Sequence, residues 1–140
     1  MPGMQNNKVV NLIAGEDLRG ALNLALTFEN DGGVAKVIKA AVATDVIIGT
    51  LVEEPRSDAT TDGLTVPVAL LTGVVEMVAQ GAITAGEIII PTATAGKVEG
   101  VANTGALAVD QMGVGIAMES AVANDVFRVL AMPIAAPHSI

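Results

Sequence analysis

The chain has 140 residues, about the length of one domain, with a formal net charge of -8 and no cysteine, which leaves neither a disulfide framework nor thiol chemistry. Seven Lys and Arg against 15 Asp and Glu cannot supply the clustered cations that a nucleic-acid backbone demands. With no Trp or Tyr and two Phe, the stacking platforms of single-strand binders are also missing. The longest apolar stretch, Val66 to Val75, is short and broken by Pro67, Thr72 and Gly73, so no membrane partner is expected.

Hydrophobic residues make up 51% of the chain but aromatics only 1%, so the core must be aliphatic. A mixture rich in Val, Ile, Leu and Ala suits the pleated faces of sheets. The 15 Gly and 6 Pro are spread along the chain, as turns between short strands require. The reading is all-β: a compact β-barrel or β-sandwich of short strands. One β domain is expected over residues 11–130, with an N-terminal arm at 1–10 and a C-terminal tail at 131–140. Met1 to Val10 has no basic start followed by an apolar run, unlike a secretory signal.

In chain order, Leu22, Leu24, Leu26 and Phe28 alternate with Asn23, Ala25 and Thr27, which predicts a half-buried strand with the leucines inward. Asn30-Asp31-Gly32-Gly33 supplies a hairpin turn, and Val34 to Ala40 returns with Lys36 and Lys39 toward solvent. An apolar strand follows at Val46 to Val52, then a polar loop from Pro55 to Gly63 and a strand from Leu64 to Leu70. Pro67 predicts an edge position or a bulge for that strand. Further strands are expected at Val74 to Val78, at Glu87 to Ile90 before Pro91, at Val98 to Val101 after the Ala95-Gly96-Lys97 turn, at Val114 to Met118 and at Val126 to Leu130. Asn103 to Gln111 fits a single helical turn or an extended loop equally well.

The sequence also repeats itself. At an offset of 66, Gly15 matches Gly81, Gly20 matches Gly86, Gly49 matches Gly115 and Glu53 matches Glu119. These six glycines are expected at turns or at places where strands bend or approach closely. Matching Val66 with Val126 needs an offset of 60, hence a six-residue insertion in the Pro55 to Gly63 loop, a place where insertions are tolerated. The pseudo-repeats span 13–71 and 79–130.

Candidates for chemistry are sparse. His138, the single histidine, lies near the C-terminus, where neither a catalytic base nor a set of zinc ligands is readily fixed. Asp58, Asp62 and Gly63 lack the alternating carboxylates and closing Glu of a calcium loop. Glu53 and Glu54, as neighbours on a strand, should point to opposite faces and not converge as an acid–base pair. Gly113-Val114-Gly115 resembles the opening of a dinucleotide loop without its third Gly or the following helix. No catalytic residue, cofactor or metal is expected. The tail carries Met132, Ile134 and Ile140 between prolines, candidate anchors for a partner.

In their order and spacing, IAGEDL from Ile13, DVIIGTLVEEP from Asp45, GVVEMVAQGAITAGE from Gly73, AGKVEG from Ala95 and VGIAMESAVANDVFRVL from Val114 resemble the head decoration, or capsid cement, proteins of tailed bacteriophages. Asn103 to Gln111 and the tail have no counterpart in that pattern. The resemblance implies a β module on the outer surface of the capsid, present in the host cytoplasm during assembly. It implies a homotrimer at three-fold and quasi-three-fold positions, with the major capsid protein and neighbouring decoration subunits as partners. A trimer touching several capsomers gains avidity and stabilises the assembled shell by linkage. Two rival readings stay open: a virion surface module binding host glycans or another ligand, against which the missing Trp and Tyr count, and an acid–base enzyme using Glu53 or Glu119.

Overall fold

The structure, a computed structural model, describes residues 8–42, 44–56, 59–107 and 111–135. Five strands come first: β1 (Val9–Ile13), β2 (Ala25–Asp31), β3 (Val34–Lys39), β4 (Gly49–Leu51) and β5 (Thr65–Leu70). Five more follow: β6 (Val74–Val78), β7 (Ile88–Pro91), β8 (Val98–Val101), β9 (Met112–Ala117) and β10 (Val126–Ala135). A single 3-10 turn at Thr104–Ala106 separates β8 from β9, the helical option for that segment. The protein is all-β, built as two five-stranded antiparallel sheets ordered β1-β5-β4-β2-β3 and β6-β10-β9-β7-β8. Neither sheet closes into a barrel. Each curls until its two edges meet at one parallel bridge, Ala14 with Val37 in the first and Ala79 with Val98 in the second.

The second strand order repeats the first, five strands on, so the duplication is visible in the topology. The registers then fix which residues correspond. Gly49 faces Leu70 as Gly115 faces Ala131, so the offset drops from 66 on β4 and β9 to 61 on β5 and β10. The insertion in the first half is therefore five residues, not six, and the counterpart of Val126 is Thr65. Two glycine pairs also dissolve. The amide of Gly15 donates to Val37 as that of Gln80 donates to Val98, and the amide of Asn23 donates to Leu51 as that of Gly86 donates to Ala117. Gly15 thus corresponds to Gln80 and Gly86 to Asn23. Both Asn23 (φ 64°) and Gly86 (φ 93°) are left-handed, a conformation that Asn tolerates better than most residues.

Asn23 explains why the leucine alternation does not form one strand. Its positive φ turns the chain, β2 starts only at Ala25, Leu22 and Phe28 are exposed, and Leu26 alone of the four is fully buried. Pro67 also lies elsewhere than expected, because β5 sits inside its sheet between β1 and β4. The counterpart Arg128 shows how this is tolerated. Its amide points past the end of β9 and donates to the Glu119 carboxylate at 2.8 Å, so at this position no ladder bond is required and a proline loses nothing.

Among the described residues, strand pairing reaches into both segments expected as arms. Val9 and Val10 belong to β1, paired with Ala69 and Val68, and β10 runs on through the bulge between Ala131 and Ile134 to Ala135. β1 is a half-exposed edge strand of alternating exposed and part-buried residues, so its sequence carries little hydrophobic signal.

Each curled sheet encloses its own apolar core, aliphatic throughout except for Phe127 in the second, and the two cores use corresponding positions. Ala14, Leu18, Leu26, Val37, Leu51, Val66 and Val68 fill the first. Ala79, Ile83, Ile89, Val98, Ala117, Phe127 and Val129 fill the second. The second core is closed by residues from outside its own half, namely Ala25, Ala40 and Ile47. Their contact is fixed by the turn between β7 and β8, where the Gly96 carbonyl accepts from the Ala25 amide at 2.8 Å and the Gly96 amide donates to the Ala40 carbonyl at 2.6 Å.

Gly49 and Gly115 are strand residues, not turn residues. A Cβ on either would collide with a partner-strand carbonyl oxygen, that of Ala69 or of Leu130, and would lie 2.9 Å from Val68 Cγ1 or 2.7 Å from Val129 Cγ1. Gly49→Ala and Gly115→Ala should therefore each lose about 1–3 kcal/mol to overpacking, while Gly81→Ala, with open space and no positive φ, should be neutral or slightly stabilising. Equal urea midpoints for all three would contradict this close approach. By the same measurement, Leu26→Ala should lose about 2–5 kcal/mol. Arg19→Ala, which removes an exposed pair with Asp17, should leave the midpoint almost unchanged.

Candidate interaction surface

The acidic residues singled out in the sequence do not converge. Glu53 and Glu54 lie in the loop after β4 instead of on a strand, and it is their partners that separate them. Glu54 turns back to accept from the Gly20 amide at 2.7 Å, while Glu53 sits 3.6 Å from Arg56. Glu119, the counterpart of Glu53, accepts from both the amide and the Nε of Arg128. This pair of hydrogen bonds, the backbone one first, holds the Glu119 carboxyl below its ordinary value. Asp62 accompanies Gly63, a left-handed turn residue before β5, and Asp58 lies outside the described residues. Gly113 and Gly115 are both within β9, in a strand context that offers no helix terminus to a phosphate. His138 and Ile140 also lie outside the described residues.

What the fold does assemble is an apolar exterior. β10 alternates cleanly: Phe127 and Val129 enter the core, whereas Val126, Arg128, Leu130 and Met132 face out. On the same outer face Leu130 stands between Val74 of β6 and Ile116 of β9, and Met118 is exposed beyond the end of β9. Toward the other edge Leu107, from the 3-10 segment, covers Ile88 and Ile90, with Val101, Ile116 and Ile134 packed around them. Ile134 thus belongs to this outer layer, and Met132 is an exposed strand residue beside Pro133. Both owe their places to β10 continuing past Leu130, which the flanking prolines conceal in the sequence.

Met132 and Pro133 also line a cleft of about 270 Å³ at the junction of the halves. Val46, Ile47 and Leu71 face them from the first half, and Met112 and Val114 from the second. Sequence reasoning found Met132 but missed Val46 and Met112, because only the packing of one half on the other brings them together. The exposed rows of large aliphatic and Met side chains on an ordered sheet form a surface suited to protein contact.

No family model matches the chain, and no curated protein sequence matches it. Among solved structures it is similar to the N base of head fiber gp8.5 in bacteriophage phi29, with a TM-score of 0.64 over 89% of this chain and 93% of that one, at 12% identity. The likeness is one of fold, and it spans both halves of the duplicated architecture.

The Glu119 contact makes a pH prediction. A carboxyl whose pKa is lowered on folding contributes stability above its unfolded value, and that contribution is lost as pH falls through the folded value. Wild type should therefore lose more stability than Glu119→Gln between neutral pH and conditions below the ordinary value of 4.5. Urea unfolding at both pH values measures the difference, and parallel losses would contradict the assigned contact.

Proposed function

We propose that this chain is a structural protein of the phage head surface and, more narrowly, a decoration or cement protein. In this reading it binds the outside of the assembled shell as a homotrimer at three-fold and quasi-three-fold positions, touching the major capsid protein and neighbouring decoration subunits. The observation that carries the proposal is the fold likeness to a phage head fiber base across nearly the whole chain. The order of sequence strings that resembles decoration proteins supports the narrower role. The apolar outer face of the second sheet supports a function through contact, as do the net negative charge and the dispersed acidic residues, with no reaction involved.

A protein that binds the lattice better than free subunits stabilises the lattice. Purified protein should co-sediment with expanded, undecorated phage shells and raise the temperature at which they disrupt. Failure of both effects would overturn the decoration role. Binding without stabilisation would leave a head-surface protein and remove the cementing function.

A further inference from the structure

We propose that the outer face of the second sheet docks the β2–β3 hairpin of a second copy of this chain, head to tail. The inference deepens the proposed self-association by naming its surfaces, and it rests on the duplicated architecture. Within one chain, the halves already use one such contact. The turn between β7 and β8 is laid against the first sheet at Ala25 and Ala40 through the two Gly96 hydrogen bonds, and a Cβ on Gly96 would lie 2.6 Å from the Leu24 Cβ.

A contact between unlike surfaces of a repeated module leaves one surface of each kind unused at the two ends. The first unused surface corresponds to Ala25 and Ala40. By register these positions are Ile88 and Val101 in the second sheet, and the adjoining Thr50 and Ala69 become Ile116 and Leu130. Small, buried residues in the first copy are thus replaced by large aliphatic ones in the second, where only Ile88 is buried. Leu107 shields Ile88, but Ile116 and Val101 stay half-buried and Leu130 is 44% exposed. An apolar enlargement at positions that one half buries against the other is the pattern of a face that a neighbour covers.

The second unused surface is the counterpart of the β7–β8 turn. Phe28 pairs with Val37 as Pro91 pairs with Val98, so the first hairpin is two residues longer and projects further. Around its Gly32-Gly33 tip it carries Phe28 at 44% and Val34 at 45% exposure, apolar side chains that their own half covers only in part. An exposed aromatic beside a tight turn is the kind of anchor that fills an aliphatic face. Closed into a ring of three, this contact would form the proposed homotrimer.

The test uses two variants at exposed positions, Leu130→Asp on the receiving face and Phe28→Asp on the hairpin. Light scattering coupled to size exclusion should show wild type at two or more times 14.1 kDa and each variant as a monomer that still unfolds cooperatively, without the stabilisation that association adds. Mixing the variants in equal amounts should produce dimers and nothing larger, because one keeps an intact hairpin and the other an intact face. A monomeric wild type, a variant that still assembles, or a mixture that stays monomeric would each overturn the proposal. Shell binding separates it from the functional reading: oligomers that ignore shells contradict only the head-surface role, and monomers that bind shells contradict the head-to-tail contact and the trimer but leave the head-surface role standing.

Discussion

The fold depends on how a backbone turn at Gly96 joins two copies of one curled sheet. Each copy is too small to seal its own interior well, since five short strands curled to a single bridge leave an open end. The first half supplies Ala25, Ala40 and Ile47 to the second core, and the paired hydrogen bonds of Gly96 hold the alanines in place. Small residues on one side and a glycine on the other let main chain approach main chain, which satisfies polar groups that burial would otherwise leave costly. The cleft beside Met132 lies where the two halves meet.

The duplication is more conservative in geometry than in sequence. Gly49 and Gly115 remain identical because a neighbouring carbonyl occupies the space of a Cβ at both places. At the turn before β2 and β7 only a positive φ is required, and Asn23 serves as well as Gly86. Pro67 and Arg128 differ still more, because the amide at that position leaves the ladder and can be either absent or bound by Glu119. Cores of equivalent residues survive these exchanges, as expected where volume and patterning, and not identity, are what packing selects.

Much of the architecture was legible in the sequence, and the failures have local causes. The sequence pattern of Val74 to Val78 and of Val98 to Val101 matches the bounds of β6 and β8, because turn residues flank both closely. The glycines signal the repeat, yet Gly15 with Gly81 and Gly20 with Gly86 are coincidences of spacing that only hydrogen-bond partners expose. The Leu22 to Phe28 alternation misled because one left-handed Asn resets its phase. β1 escaped notice as a half-exposed edge, and the last part of β10 was hidden by Pro133 at a bulge. The interaction surface was visible only through Met132 and Ile134. Leu130, Ile116, Val46 and Met112 read as ordinary strand residues until the sheets are assembled, because exposure is a tertiary property.

The central claim is that the halves form one body in which the second core is completed by the first half. Equilibrium urea unfolding followed by amide exchange at Val37 in the first sheet and at Val98 and Val129 in the second tests it most directly. The account predicts coincident transitions at all three amides, since loss of the first half removes Ala25, Ala40 and Ile47 from the second core. Protection that persists at Val98 and Val129 after Val37 has exchanged would contradict it.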